Sequence, residues 1–200
     1  MYAWMQERQQ AGLRTACCKT GQRKCIPSMW DMASLHGNCA RTQGLSVWKL
    51  RSDERVKVVE RTNIKNCEPS EIYDETDILP DFCAMDLSFI SVTKVLENIK
   101  KLMDKDTIEI VTLIKPQFEA GKELVGKNGV VREKSTHYKV IQDVINYAQT
   151  LDLYPEKLTF SPIKGPAGNI EYLVKLVNHK TDFESDLINK IVEEANENNF

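Results

Sequence analysis

The chain has 200 residues, 42% hydrophobic and 28% charged, with a formal net charge of −2. That length and composition suit one globular domain, and the near-neutral charge excludes a global basic field that would draw in nucleic acid. No apolar run approaches the ~18 residues of a membrane span, and the opening MYAWMQERQQ lacks the apolar stretch of a signal peptide, so the chain reads as cytosolic.

Residues 1–43 stand apart. They hold four of the six Met, two of the three Trp and four of the six Cys, with only Glu7 and Asp31 as acidic residues. MWDMASLHGN, residues 29–38, follows neither a helical nor a strand period. Cys17, Cys18, Cys25 and Cys39 contain no CxxC pair, so free thiols are expected rather than a zinc site. Cys67 and Cys83 read as a loop thiol and a buried strand residue.

From residue 47 the texture changes to alternating strands and helices. VKVVE (56–60) is β-branched and predicts a strand, followed by a turn-rich stretch with Asn63, Asn66, Pro69 and Ser70. DFCAMDL (81–87) predicts a buried strand ending on Asp86, and VTKVLENIKKLM (92–103) has helical spacing. DTIEIVTLIK (106–115) is a continuous apolar run, suited to the centre of a parallel sheet covered on both faces. Residues 135–151 predict an amphipathic helix with Ser135 as N-cap. KLTFSP (157–162) and EYLVKLVN (171–178) predict two strands. They are joined by a Gly/Pro loop without a helix, so an antiparallel pair is expected at one sheet edge. DFESDLINKIVEEANE (182–197) predicts a terminal helix with an acidic first turn. Strands alternating with helices argue an open α/β sheet.

In such sheets ligands bind at the carboxyl ends of strands. Asp86-Leu87-Ser88-Phe89-Ile90-Ser91, residues 113–131 and residues 161–172 all lie at strand ends. Lys115 closes an apolar strand, a partly dry setting in which lysines serve as proton acceptors; the competing reading is a strand-end lysine reaching into solvent. Asp86 is alternatively a turn carboxylate, and Glu171 a surface ion-pair partner. Two carboxylates and a lysine at strand ends of one sheet form a general acid/base constellation. Gly121, Gly126 and Gly129, with Lys122 and Lys127, suit either a weak phosphate contact or a lid, and their spacing is not the dinucleotide fingerprint. His137 reads as a helix or surface residue rather than a base.

VWKLRSDERVKVVERTNIKN, MDLSFIS, LIKPQFEAGKELVGKNGVVRE and SPIKGPAGNIEYLV together resemble the TlyA (hemolysin A) family over residues 47–178. The resemblance implies a Rossmann-like α/β sheet of the FtsJ type and S-adenosylmethionine-dependent 2′-O-methylation of ribosomal RNA. It assigns Asp86, Lys115 and Glu171 to catalysis, with Lys115 taking the hydroxyl proton and the carboxylates orienting it. It places Thr62, Asn63 and Asp86 beside the cofactor. The family's remaining lysine and its small RNA-binding domain lie upstream of anything in this chain, and its Gly-rich cofactor loop is not found in residues 1–43. The family's other name suggests membrane lysis, which no basic amphipathic helix supports.

The opening residues have a reading in another frame. Met29-Trp30-Asp31-Met32-Ala33 back-translates to ATG TGG GAY ATG GCN, and from the third base this gives Val-Gly-(Tyr or His)-Gly. The family carries DVGYGQ at this place. Residues 2–32 permit the whole strand, Gly-rich loop and helix of the cofactor segment in that frame. Residues 1–45 are therefore expected to be an out-of-frame translation of it, without family structure. Residues 46–200 are expected to be a partial FtsJ-like domain whose N-terminal strand and helix are missing or scrambled. The same frame ends in WKLRTDPRV, and WKLRSDERV recurs in frame from Trp48, which points to a junction near residues 44–47.

Overall fold

The computed structural model describes residue 59 and residues 63–197. The segment 1–45, Thr62 and, apart from Val59, the expected strand 56–60 lie outside the described residues.

Asn63 caps a tight turn, Ile64–Asn66, its Oδ1 accepting from Lys65 N at 3.1 Å. A short helix α1 (Pro69–Ile72) follows, with proline at its first position where no N–H is needed. β1 (Phe82–Met85) turns Cys83 and Met85 into the core. The expected helix 92–103 divides into a 3-10 turn, Val92–Lys94, and α2 (Leu96–Lys101). Asn98 Nδ2 binds the carbonyls of Ile64 and Cys67, at 2.7 and 2.8 Å, and so fastens the first turn to α2.

β2 (Glu109–Ile114) buries Ile110, Val111, Thr112 and Ile114. α3 (Pro116–Glu119) is a single turn. α4 (Lys134–Thr150) carries a buried stripe of Thr136, His137, Val140, Ile141, Val144, Ile145 and Ala148, the spacing of one helix face. Its cap position is Glu133, and Ser135 lies in the first turn, one correction to the sequence reading. Asp152 takes a left-handed φ of +55° beyond its C-terminus, and Leu153 N reaches back to Ala148 O at 3.0 Å, closing the helix in a Schellman turn. β3 (Tyr154–Phe160), β4 (Tyr172–Val177) and α5 (Asp186–Glu197) complete the fold. α5 buries Ile188, Ile191, Val192 and Ala195 and packs on α4 and β3.

The strand order is β1-β2-β4-β3. β1 and β2 are parallel, Phe82 to Met85 facing Glu109 to Thr112. β4 runs antiparallel to β2, with Ile114 opposite Tyr172, and β3 runs antiparallel to β4. The antiparallel edge pair is as expected. The β2 run was expected among parallel neighbours, but only its β1 side is parallel. A strand covered on both faces reads as continuously apolar whichever way its neighbours run, so the run could not distinguish the two.

One core joins sheet and helices, with Ile110, Ile114, Ile141, Leu153 and Tyr172 among its fully buried members. Cys67 is buried despite its loop position, and burial pushes its thiol up to about 11 and that of Cys83 to about 12. Among the described residues there is no cluster that could hold a metal ion, and no helix is long and apolar enough to cross a membrane.

Candidate active site at the carboxyl ends of the sheet

Topology alone brings three distant residues together. Asp86 follows the last residue of β1, and Lys115 the last residue of β2. These strands are parallel, so both side chains leave the same sheet edge. Glu171 precedes the first residue of β4, which pairs with Ile114 in antiparallel register. An antiparallel strand starts where its neighbour ends, so Glu171 arrives beside Lys115.

Lys115 Nζ lies 2.5 Å from Asp86 Oδ1, with the two side chains only 12% and 16% exposed. The lysine does not reach into solvent. It donates to Ser88 Oγ at 3.3 Å. Asp86 Oδ1 has Lys115 as its ion-pair partner and no further hydrogen bond, while Gln117 Oε1 is a buried acceptor without a hydrogen-bond donor.

Glu171 is 9% exposed rather than a surface ion-pair residue. Its carboxyl is held above the usual range first by burial and secondarily by Asp86, against the opposing pull of Lys115 and a hydrogen bond from Gln117. Gly165 makes room for it: a Cβ there would stand 2.7 Å from Glu171 Oε1.

Two fasteners hold the surrounding loops. Glu119 accepts from Val92 N at 2.7 Å and from Ser91 Oγ at 2.6 Å, tying the loop after β1 to α3. Burial raises the Glu119 carboxyl, and these two bonds oppose it. Asn169, 1% exposed, accepts from Val131 N at 3.0 Å and donates to Gly129 O at 2.9 Å. It joins the end of loop 121–131 to the loop that carries Glu171. His137 continues the link. It sits fully buried between Val131 O at 3.0 Å and Tyr172 Oη at 2.8 Å. Of the two settings expected for His137, helix or surface, it takes the helix, lying on the buried core stripe of α4, where burial lowers its basicity.

Asn63 is exposed and its side chain caps its own turn. Ser88, Gln117, Glu119 and Asn169 were not singled out from sequence. All four stand inside the motif strings, but only the packed loops show which of them turn inward.

The family resemblance implies a methyl donor beside these residues. They supply acceptor groups for a hydroxyl, but no glycine-lined backbone facing Asp86 that would cradle a nucleoside and sulfonium. Gly165 accommodates Glu171, and Gly129 and Gly168 take left-handed turns at φ +74° and +90° in their own loops. The donor does not fit the described residues alone.

A family model for FtsJ-like methyltransferase matches residues 37–178. "Putative rRNA methyltransferase YqxC" of Bacillus subtilis is 43% identical over 129 residues, covering 64% of this chain and 44% of that protein. The "16S/23S rRNA (cytidine-2'-O)-methyltransferase TlyA" of Mycobacterium tuberculosis is 39% identical over 133 residues, covering 66% of this chain and 48% of that protein. The chain thus spans about half the length of the curated relatives it matches. A solved structure, "Putative hemolysin from Streptococcus thermophilus", superposes with a TM-score of 0.69 at 40% identity, over 75% of this chain and 54% of that one.

Proposed function

The chain belongs to the FtsJ-like methyltransferase family, and from that premise we propose that residues 63–197 form the acceptor half of a ribosomal RNA ribose 2′-O-methyltransferase. The observation that carries this is the nearly buried Asp86–Lys115 ion pair beside the buried Glu171 carboxyl. It is supported by the 2′-O-methyltransferase named among the relatives. S-adenosylmethionine, the family's methyl donor, supplies an electrophilic methyl group.

The chain's own residues handle the hydroxyl. Asp86 holds Lys115 in place through their ion pair. Lys115 Nζ is the group that receives the hydroxyl's proton, and the adjacent Asp86 carboxylate pairs with the ammonium so produced. Ser88 Oγ and Asp86 fix Lys115 from two sides, which keeps the proton acceptor in one geometry. Glu171, held by Gln117, adds a second carboxyl close enough to bias Lys115 electrostatically.

Residues 1–45 take the place of the cofactor segment, and we infer that they are its out-of-frame translation. The chain as written then keeps the acceptor site without a donor site and does not transfer methyl groups. The test uses two chains on ribosomal subunits: this one, and one whose residues 1–45 are replaced by the alternate-frame segment. Methyl incorporation by the restored chain and its loss in restored Lys115→Met support the proposal. Undiminished incorporation by restored Lys115→Met would overturn the acceptor assignment.

A further inference from the structure

The loop after β1 and the turn after β2 lie side by side, joined by three rungs that follow both segments in the same order. At the first, Lys115 Nζ meets Asp86 Oδ1 at 2.5 Å and Ser88 Oγ at 3.3 Å. At the second, the rings of Phe118 and Phe89 pack with centroids 5.0 Å apart. At the third, Glu119 accepts from Ser91 Oγ at 2.6 Å and from Val92 N at 2.7 Å. The turn itself is anchored by Pro116, which is buried and whose fixed φ suits the first helical position. Between the first and third rungs the Phe89 backbone has φ +65°, the left-handed region that bulky residues avoid. Such strain persists only where the surroundings impose it. Here the loop is gripped on both sides of Phe89, at Ser88 and at Ser91–Val92.

We propose that Glu119 is a positioning residue, whose carboxylate locks loop 86–92 onto the turn after β2 and so keeps Asp86 and Ser88 on Lys115. The inference rests on the acceptor reading above and names the residue that gives that site its geometry. Hydrogen bonds to a carboxylate are the strong kind, and this one makes two to the same loop. Val92 is 1% exposed, so its N–H has no route to water and depends on Glu119. Without the third rung the Phe89 backbone is free to leave the left-handed region. Ser88 is the next residue back and moves with it, and Asp86 is two residues further. The role calls for two polar atoms at a fixed reach rather than for negative charge. Glutamine meets it, with Oε1 accepting from Val92 N and Nε2 donating to Ser91 Oγ. Ser91 Oγ then donates to Thr93 Oγ1, 2.7 Å away.

The test is proton exchange at lysine Nζ in the full chain, read by NMR with 15N-labelled lysine. An ammonium held in a shielded ion pair exchanges slowly, and the Lys115 signal is identified by its absence in Lys115→Met. The expected result is a slowly exchanging Lys115 signal in the native chain and in Glu119→Gln. In Glu119→Ala, exchange accelerates on the order of ten-fold or the signal is lost. Asn98→Ala is the control for general loosening, because Asn98 fastens the turn at Ile64–Asn66 to α2 and touches neither loop 86–92 nor α3. It should lower the urea midpoint and leave Lys115 exchange unchanged. Equal exchange in the native chain and Glu119→Ala, or equal acceleration by Asn98→Ala, would overturn the proposal. Should Glu119→Ala not fold, Ser91→Ala decides. It removes one of the two bonds and keeps Val92 N paired, so faster Lys115 exchange supports the proposal and an unchanged rate overturns it. Methylation by the restored chain that is indifferent to Lys115→Met sinks the acceptor reading, whatever Lys115 exchange shows. Lys115-dependent methylation with unaltered exchange in Glu119→Ala sinks the positioning role alone.

Discussion

Asn169→Ala removes both bonds of the fastener between loop 121–131 and the loop bearing Glu171. The two partners left behind differ. Val131 is 3% exposed, so its N–H has no route to water. Gly129 is exposed, and its carbonyl can be rehydrated. One stranded buried donor costs about 1–3 kcal/mol, and the rehydrated carbonyl adds little. The expected loss is therefore about 2 kcal/mol by urea denaturation, seen as a lower midpoint at unchanged slope. Asn169→Asp keeps the acceptor for Val131 N but turns a carboxylate toward the Gly129 carbonyl. It is expected to be worse than alanine at neutral pH and to recover on acidification, when the new carboxyl is protonated. Limited proteolysis should show earlier cleavage within 121–131 in both variants. A change in stability below about 0.5 kcal/mol for Asn169→Ala, the range of an ordinary surface substitution, would refute this account of the loop.

Gly165→Ala places a Cβ 2.7 Å from Glu171 Oε1 and must displace that carboxylate. In the restored chain it should lower kcat at least ten-fold, an effect of about 1.4 kcal/mol, with little change in urea midpoint; unchanged kcat would remove Glu171 from the site. His137 has its basicity lowered by burial, so the unfolded chain binds its proton more readily. Its contribution is present above the unfolded value of about 6.5 and is lost as pH falls from there. Glu119 and Glu171, both raised, have the opposite sign, losing their contribution as pH rises above the ordinary glutamate range. The difference between the native chain and His137→Gln should therefore shrink between pH 7.5 and 5.5, and a constant difference would contradict the burial argument. Cys67 and Cys83, with thiols raised to about 11 and 12, should resist alkylation at pH 8 until the chain unfolds, as peptide mapping can check.

Strand positions were legible because buried strands need apolar runs, and 81–87, 106–115, 157–162 and 171–178 contain all of β1, β2 and β4 and the second half of β3. β3 begins earlier than expected because Tyr154, Pro155 and Glu156 lie on an edge strand, where proline and charge are tolerated and periodicity fades. The antiparallel β3–β4 pair was legible from its helix-free connection, but the direction of β4 beside β2 was not, since burial on both faces erases the alternation that would signal it. Asp86, Lys115 and Glu171 were legible as strand-end residues, and sheet register then explains their meeting. Gln117 and Asn169 were not, because an amide reads as an ordinary loop residue until packing turns it inward. His137 was legible as a helix residue but its burial was not, because a polar residue on a helix stripe looks solvent-facing until Tyr172 and Val131 are seen to satisfy both ring nitrogens.

The most direct measurement is isothermal calorimetry of S-adenosylmethionine against the chain as written and against the chain with residues 1–45 restored to the alternate frame. The account predicts no saturable heat for the first and one saturable site for the second. Saturable binding of equal affinity by both would contradict it. The acceptor site at Asp86, Lys115 and Glu171 would then be served by a donor site built from the residues as they stand.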